Sequence, residues 1–390
     1  MRKTVKKMSA VALALLMTLS VLSASAFAAT PQNVKQYKYY LALGDSIGSG
    51  FGQPDYNKYG KVVVIDKRIK NSYPDLVAKW TGAKLDPKCY PGYTAGVLRY
   101  ELDNTYKLPT AQIGQLFNMT NGAYDQKFLD QHRPIFQNAV KKADLITLDI
   151  GLNDTWYGTI ATIYQIAEYG NDKIPGDPRG LLEDELAKYG SWGTVFRNAE
   201  AYLAGFALTP SKWAEFWGLW LYNMATYFTA YESNYATIVR NIFKLNPNTT
   251  VVALSSYNSF RYFTLTGGEN GANFYRIKTR DGGPLVVNLP GLGEFALPDE
   301  IKVAPSLVPT IVQSSYDMFY EPVRKRFVNE YPGHYFYADV FDTEMIMDGP
   351  NSVPMYEFQT MDASGFNPHP TKAGHEYMAK QIVKQLPSRK

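Results

Sequence analysis

The alternation of apolar and polar segments along the chain predicts a parallel β-sheet covered by helices. Five short apolar runs, rich in β-branched and aromatic residues, are separated by longer stretches with helical spacing. They predict buried strands at Tyr39–Leu43, Leu85–Tyr90, Leu145–Ile150, Thr250–Ser255 and Tyr335–Val340. Alternating strands and helices are typical of a three-layer α/β sandwich with a parallel sheet in the middle. Ligands of such sheets bind beyond the carboxyl ends of the strands, so the chemistry is expected there.

Two stretches exceed what a minimal five-stranded domain needs, and both are predicted to be inserts. The first, at about residues 156–231, is helical and dense in aromatic residues. Thr209-Pro210 supplies a capping hydroxyl and a proline at the first helical position. A helix from there to Leu245 carries one apolar stripe at spacings of three and four: Trp213, Phe216, Trp217, Trp220, Met224, Tyr227, Phe228 and Tyr231. Such a stripe most often packs on the core, and the alternatives are an acyl-chain cap or a stacking face for a sugar.

The second insert, at about residues 266–309, is rich in glycine and proline. Asp281-Gly282 lies between two short apolar-polar runs in this insert. An Asp-Gly pair in that setting favours the tight turn of a β-hairpin, so the sequence predicts a hairpin closed at these residues.

The first 28 residues have the pattern of a secretory signal peptide. A basic start precedes an apolar run from about Ala10 to Val21, and Ala26-Phe27-Ala28 matches the small-residue pattern that signal peptidase cuts. The apolar run is too short for a good membrane span, although an uncleaved anchor is the alternative. We therefore expect cleavage near Ala28, a secreted protein without a stable membrane anchor, and one mature domain over residues 29–390.

Charge and cysteine content exclude several other classes. The chain has 40 basic and 36 acidic residues, and the four basic residues of the leader (Arg2, Lys3, Lys6 and Lys7) account for the difference. A formally neutral mature chain offers no electrostatic surface for nucleic acid or an anionic membrane. The single cysteine, Cys89, excludes an intramolecular disulfide, and a chain of this length buries a core without one.

The strongest chemical feature is Gly44-Asp45-Ser46-Ile47, which directly follows the first predicted strand. A serine at a strand-to-helix turn presents its hydroxyl at the sheet edge, next to the N–H groups of the helix start. With Gly48 the same residues also match Gly-x-Ser-x-Gly, the nucleophile elbow of α/β-hydrolases. That elbow follows several strands and an oxyanion segment rich in glycine, and neither precedes Ser46. The sequence therefore argues against an α/β-hydrolase.

Two further loops follow predicted strands. Gly151-Leu152-Asn153-Asp154 comes after the third strand, and the Asn153 amide can donate a hydrogen bond to developing negative charge. The alternative is that Asn153 and Asp154 only cap the next helix. Gly92 comes after the second strand, where a glycine lets a backbone N–H approach a substrate oxygen closely. Its alternative is an ordinary turn glycine.

A serine nucleophile needs a general base, and the chain has only four histidines: His132, His334, His369 and His375. His369 lies in a loop after the last predicted strand, before a helix that starts near Thr371, and therefore on the same sheet edge as Ser46. The contexts of His132 and His334 are typical of a polar surface. His375 falls inside the helix and is interpreted as a capping or packing residue.

Taken together and in this order, these blocks resemble the GDSL or SGNH hydrolase family of secreted bacterial-type esterases and lipases. Asn71-Ser72-Tyr73-Pro74 also looks like the segment that follows the nucleophile helix in that family. The resemblance implies a flavodoxin-like five-stranded fold and cofactor-independent acyl transfer. It implies Ser46 as nucleophile and His369 as base, with an oxyanion hole formed by the N–H groups of Ser46 and Gly92 and the amide of Asn153.

The chain departs from the family at one position. An aspartate usually stands three residues before the histidine, and Phe366 occupies that place here. The nearest acid is Asp362, a candidate third member of a triad. The alternative, which we favour, is a dyad in which a backbone carbonyl orients His369.

The functional hypothesis is hydrolysis of carboxylic esters, with a small-molecule, lipid or carbohydrate ester as substrate. Two alternatives stay open: a carbohydrate O-deacetylase, and a non-catalytic extracellular binding protein that keeps the hydrolase scaffold. A metal-dependent hydrolase is not favoured, because the chain lacks a His-Glu-x-x-His motif or a comparable ligand cluster. No metal or cofactor is expected.

Overall fold

The computed structural model describes residues 36–388 with the exception of positions 61–62, 110–111, 114–115, 117–119, 121, 171–179, 191–193, 196–197, 200–201, 203–205, 207–209, 257–273, 277–285, 290–292, 297–299, 303–315, 341–368 and 371. The predicted signal peptide and its cleavage site lie outside the described residues, as does Asp362.

The described residues form nine strands, five of which make one parallel sheet. The strands are β1 (Tyr39–Gly44), β2 (Lys84–Cys89), β3 (Leu145–Asp149), β4 (Thr250–Leu254), β5 (Phe274–Arg276), β6 (Val286–Leu289), β7 (Gly293–Ala296), β8 (Glu300–Lys302) and β9 (Tyr335–Ala338). The parallel sheet has the order β2-β1-β3-β4-β9. All five predicted strands are therefore confirmed, with bounds that shift by two residues or fewer.

Helices flank this sheet, as the α/β prediction requires. They are α1 (Ser46–Ser49), α2 (Pro54–Asn57), α3 (Tyr73–Thr81), α4 (Ala95–Leu102), α5 (Gln126–Lys142), α6 (Leu152–Tyr164), α7 (Leu181–Tyr189), α8 (Pro210–Leu245), α9 (Glu321–Glu330) and α10 (Lys372–Gln385). Helices α3 and α10 pack on each other over one face. Helices α4, α5, α8 and α9 cover the other, and α6 packs on α8. The middle strands β3 and β4 are buried along their whole length, as expected for a sheet covered on both faces.

The strand order locates the crevice of the sheet. From β1 the chain goes first to β2 on one side and then to β3 on the other, so the order reverses between β1 and β3. In open parallel sheets the ligand crevice lies outside the carboxyl ends of the two strands at such a reversal. Gly44 at the end of β1 pairs with Asp149 at the end of β3. The loops that leave this point begin at Asp45 and Ile150, and they carry Ser46 and Asn153 of the predicted site.

The aromatic insert is built around α8, which begins at Pro210 and runs to Leu245 as predicted. Its stripe lies in the main core through Phe216, Trp220, Met224, Tyr227 and Tyr231. A Cβ placed on Gly158 of α6 would overlap the Tyr227 ring, so α6 and α8 are in close contact there. The packing interpretation of the stripe is therefore confirmed for these five side chains. Within the described part of the chain, α8 included, no helix combines the length and apolarity needed to cross a bilayer.

The second insert contains four short strands in two pairs. Strand β5 pairs antiparallel with β8, and β6 pairs antiparallel with β7. Only three residues separate β6 from β7, and so short a connection costs little chain entropy to close. Asp281-Gly282 lies between β5 and β6, outside the described residues, so the hairpin predicted there stays a prediction.

Candidate active site

Ser46 is the first residue of α1 and lies directly beyond the carboxyl end of β1. The buried Asp45 caps this short helix, because its Oδ1 accepts a hydrogen bond from Ile47 N at 3.0 Å. At the other end Gly50 has a φ of 72°, a left-handed conformation that suits glycine. Ser46 itself is half-buried, while the three residues after it are buried. The turn is therefore fixed at both ends and leaves the serine side chain partly open to solvent.

The glycines on either side of Ser46 are required by packing. A Cβ on Gly44 would lie 2.6 Å from the Asp149 carbonyl oxygen, and one on Gly48 would lie 2.5 Å from Cys89 Sγ. Neither distance is compatible with a real side chain, so β1 and α1 approach β3 and β2 more closely than any larger residue allows. Cys89 is a free thiol buried beneath α1. Burial raises its pKa well above the ordinary range, so this thiol is not a reactive nucleophile.

Gly92 follows β2 in a tight turn, closed by a hydrogen bond from Tyr93 N to Tyr90 O at 3.1 Å. Its φ of 84° places it in the left-handed region, which explains why glycine stands here. The turn is anchored by Asp154, whose buried Oδ2 accepts a hydrogen bond from Ala95 N at 2.8 Å. The aspartate of the Gly-x-Asn-Asp block therefore ties the start of α6 to the start of α4.

Asn153 joins the turns that carry Gly92 and Ser46. Its Nδ2 donates to the Tyr93 carbonyl at 2.9 Å and lies 3.4 Å from Asp45 Oδ2. The side chain stands on the first turn of α6, which Gly151 begins in a conformation with a φ of 120°. Because Tyr93 follows Gly92 and Asp45 precedes Ser46, the Asn153 amide contacts the direct sequence neighbours of the other two predicted oxyanion donors.

The charge state of Asp45 affects how firmly it holds that amide. Burial raises the pKa of Asp45 well above its usual range, and the neighbouring Asp149 carboxylate raises it further. Burial likewise raises the pKa of Asp149, against the lowering effect of the Arg324 guanidinium. A carboxyl that tends to stay neutral is a weaker acceptor than a carboxylate. The 3.4 Å contact between Asn153 Nδ2 and Asp45 Oδ2 is therefore weak.

His369 lies against the segment that follows the nucleophile helix. Its ring centroid is 4.7 Å from that of Phe51, and the next residue, Pro370, accepts a hydrogen bond from Gln53 Nε2 at 2.9 Å. Gln53 is buried, and it holds the loop of His369 to the loop of Ser46 although the two are far apart in the sequence. Burial lowers the pKa of His369 to about 3, which keeps the imidazole neutral near pH 7.

His375 is a packing residue, as the sequence predicts. It is fully buried in α10, where its Nδ1 accepts a hydrogen bond from Tyr73 N at 3.2 Å. Tyr73 belongs to the predicted Asn71-Ser72-Tyr73-Pro74 block, in which Ser72 caps α3. This block therefore docks α3 onto the helix that follows His369. Burial, and secondly the nearby His369, lower the pKa of His375 to about 3.

The lowered pKa of His375 predicts acid sensitivity. Between about pH 3 and its ordinary value of 6.5 the unfolded chain binds a proton there that the folded chain does not. Stability is thus fully present above pH 6.5 and falls as the pH drops, by about 1.4 kcal/mol per pH unit for one proton. We expect His375→Gln to have a shallower dependence of the unfolding free energy on pH between 4 and 6, measured by urea denaturation. An unchanged slope would show that His375 takes up its proton in the folded state.

Of the five residues predicted for the site, four lie among the described residues and are linked through contacts of their sequence neighbours. Asn153 contacts the residues next to Ser46 and Gly92, and His369 lies on the segment after α1; Asp362 lies outside the described residues. The sequence alone did not identify Asp45 as a buried helix cap, nor Gln53 as the link between the loops of Ser46 and His369. Asp45 could have been recognised by its position before a helix start. Among the described residues, no three side chains of the kinds that bind metals form a cluster.

Comparison with known proteins finds similar chains among solved structures only. No protein-family profile matches the sequence, and no curated protein matches it at a significant level. Among solved structures, the extracellular lipase of Streptomyces rimosus is 15% identical, over 89% of this chain and 99% of that one, with a TM-score of 0.43. Phospholipase A1 of Streptomyces albidoflavus is 13% identical, over 90% and 99%, with a TM-score of 0.42. A family two carbohydrate esterase of Cellvibrio japonicus is 18% identical, over 91% and 62%, with a TM-score of 0.30.

By name these neighbours are a lipase, a phospholipase and a carbohydrate esterase. The fold class rests on this chain's own topology: the order β2-β1-β3-β4-β9 of its parallel sheet, with helices on both faces, is the flavodoxin-like order of a three-layer α/β sandwich.

Proposed function

We propose that this protein is a serine hydrolase that cleaves carboxylic esters through an acyl-enzyme on Ser46. One observation carries the proposal: the Asn153 amide nitrogen lies 2.9 Å from the Tyr93 carbonyl oxygen and 3.4 Å from Asp45 Oδ2. An amide that bridges the turns of Gly92 and Ser46 at the ligand-binding edge of a parallel sheet is placed to stabilise an oxyanion. A purely structural cap of α6 would not need contacts with both of these loops.

In the first half of the reaction, neutral His369 removes the hydroxyl proton of Ser46 while Ser46 Oγ forms a bond to the ester carbonyl carbon. The carbonyl oxygen becomes an oxyanion, which the N–H groups of Ser46 and Gly92 and the Asn153 amide stabilise. One Asn153 amide proton is engaged by Tyr93, which fixes the plane of the group. The other amide proton, on the side of the 3.4 Å contact with Asp45, is the one that donates to the oxyanion.

The oxyanion then collapses, the ester C–O bond breaks, and the leaving alcohol takes the proton from His369. Water repeats the sequence on the acyl-enzyme. His369 removes a proton from the water as it attacks, and Ser46 recovers its proton when the carboxylic acid departs. No step needs a metal ion or an organic cofactor, so a chelator is not expected to inhibit.

The proposal is tested with a fluorophosphonate, which phosphonylates a serine hydroxyl and releases fluoride only where a base and an oxyanion site activate the serine. We expect one equivalent of label on a peptide that contains Ser46, identified by mass spectrometry. The same protein should hydrolyse at least one ester of a panel that combines p-nitrophenyl esters of graded acyl length with acetylated sugars. Absence of both label and turnover would instead support the non-catalytic binding protein. Turnover confined to acetylated sugars would favour the carbohydrate O-deacetylase.

One prediction concerns Gln53, which links the loop of Ser46 to the loop of His369. Gln53→Leu keeps the volume of the side chain but removes the donor that holds Pro370, so the loop of His369 loses a buried hydrogen bond. Because displacement of a catalytic group by about 1 Å costs up to about 100-fold in rate, we expect kcat to fall about 10- to 100-fold with little change in KM.

The matched control is Asn57→Ala in the neighbouring α2, whose amide makes only a 3.4 Å contact with the carbonyl of Gly52, within its own loop. It should keep kcat within a few-fold of the unmodified protein. If Gln53→Leu behaves like this control, the position of His369 does not depend on Gln53.

Another prediction concerns Asp362, the candidate third member of a catalytic triad. We propose that His369 and Ser46 act as a dyad, so Asp362→Asn should leave kcat within a few-fold of the unmodified protein. In a working triad, the same kind of substitution costs about 10⁴-fold, because the wrong histidine tautomer is then favoured. A loss of several hundred-fold in folded Asp362→Asn protein would establish a triad and leave the roles of Ser46 and His369 intact.

We also propose that the protein is secreted and that its leader is removed near Ala28. The basic, apolar and small-residue segments of the first 28 residues support this. Expression of the full chain in a secreting host, followed by N-terminal sequencing of the protein in the medium, tests it. A chain retained in the membrane fraction with its leader intact would show that the segment is an anchor.

A further inference from the structure

Arg324 is a buried cation close to the candidate site but outside it. It stands in α9 and is only 2% exposed. Its Nη2 donates to the carbonyl of Ile150 at 2.8 Å, and its Nη1 donates to Ser256 Oγ at 2.7 Å and to Glu321 Oε1 at 2.8 Å. The planar guanidinium thus spans the ends of two adjacent strands, β3 and β4, with directional bonds that a lysine cannot reproduce.

Glu321, the partner of Arg324, extends the network to the third strand. It is equally buried, and its Oε1 also accepts a hydrogen bond from Ser256 N at 2.9 Å. Its Oε2 accepts a hydrogen bond from the hydroxyl of Tyr337 in β9 at 2.7 Å. The pair therefore joins β3, β4 and β9 at their carboxyl ends. Burying two charges is costly, and apolar residues of the same size often stabilise a fold as well. The position of the pair at the functional edge therefore calls for a reason other than stability.

The residue that Arg324 holds is the one before the Gly-x-Asn-Asp block. Ile150 O precedes Gly151, which begins α6 with a φ of 120°. A Cβ on Gly151 would lie 3.1 Å from Arg324 Nη2 and 2.5 Å from Tyr231 Cε2, so the guanidinium and the ring support this turn from behind. This turn sets where α6 begins. It therefore also sets the direction of the Asn153 side chain, two residues further along the chain.

We propose that Arg324 is a positioning residue for the oxyanion site: by holding the Ile150 carbonyl it fixes the Gly151 turn and so the direction of the Asn153 amide. Glu321 keeps the guanidinium in place. This role rests on the proposed function, because it concerns the rate of the same reaction. Arg324 itself does not touch the substrate, and its whole effect on catalysis passes through Asn153.

The test is a double-mutant cycle between Arg324→Lys and Asn153→Ala, with kcat and KM measured on a soluble p-nitrophenyl ester. Lysine keeps the charge next to Glu321 but cannot hold Glu321, Ser256 and Ile150 in one plane. We expect Arg324→Lys alone to lower kcat about 10- to 100-fold at nearly constant KM, as for a misplaced catalytic group. In the Asn153→Ala background the same substitution should cost less than about 3-fold, because the group it positions is absent.

A control variant separates this effect from loss of stability. Val239→Ala removes buried volume from α8 and destabilises the protein without removing any hydrogen bond of Arg324 or Glu321, and it should keep its kcat. If Arg324→Lys does not fold, Ser256→Ala removes one acceptor of the guanidinium and should show a smaller loss that also disappears in the Asn153→Ala background. If Arg324→Lys lowers kcat by the same factor in the unmodified protein and in the Asn153→Ala background, the positioning role is wrong, while the proposed function stands. An unmodified protein without esterase activity, or an Asn153→Ala variant of full activity, would overturn the oxyanion assignment and this inference with it.

Discussion

Replacement of Ser46 by alanine is expected to lower kcat for ester hydrolysis by about 10⁶-fold, as in serine hydrolases that lose their nucleophile. Among the described residues at the switch point, the Ser46 hydroxyl is the proposed nucleophile, whereas the nearby Cys89 thiol is buried and its pKa is raised. The fold should not change, because the side chain of Ser46 is half-buried and α1 is held by the cap of Asp45.

The measurement is steady-state turnover by purified Ser46→Ala protein, with circular dichroism to verify the fold. The matched control is Ser49→Ala in the same helix, which removes a buried hydroxyl bound to the Ser46 carbonyl and should cost less than about 10-fold. Turnover above a few per cent of the unmodified level in Ser46→Ala, with contaminating esterases excluded, would rule out Ser46 as the nucleophile.

The second large effect is expected at Asn153. Alanine there removes one of the three oxyanion donors, and kcat should fall by about 10²–10³-fold with KM nearly unchanged. We expect kcat to fall and KM to stay nearly constant because the carbonyl oxygen becomes strongly charged only in the transition state. Substrate binding in the ground state therefore loses little stabilisation. The contact with Tyr93 is lost as well, which leaves that carbonyl without the amide donor.

Asn246 provides a control for the structural part of this loss. Its amide donates to the carbonyls of Val140 and Ala143 at 2.9 and 2.8 Å, at the other end of the sheet from the site. Asn246→Ala should lower the unfolding free energy and leave kcat unchanged. An Asn153→Ala variant that differs only in KM would show that the amide positions the substrate and does not stabilise the oxyanion.

The sheet could be predicted because each of its strands is a self-contained apolar run, and burial on both faces leaves little else for such a run to become. The site could be predicted in part for the same reason. Ser46, Gly92 and Asn153 each follow a strand within a few residues, so a parallel sheet collects them at one edge. The periodic stripe of α8 predicted burial, although not that Gly158 of α6 makes room for it.

What could not be predicted depends on contacts between distant segments. Nothing local marks Gln53 as the partner of Pro370, since the two are 317 positions apart. Helix α9 contains Glu321, Arg324 and several further charges, a composition typical of a solvent-exposed helix, yet these two are buried because three strand ends supply their partners.

The order of the site along the chain has a consequence for biosynthesis. Synthesis produces the nucleophile turn first, then the turns of Gly92 and Asn153, and the base His369 only after all the sheet strands. Until the loop of His369 docks on Phe51 and Gln53, the nascent protein carries the proposed nucleophile and amide donors without the proposed base. On the proposed mechanism, ester hydrolysis can therefore begin only after this loop has docked, later than the synthesis of all the sheet strands.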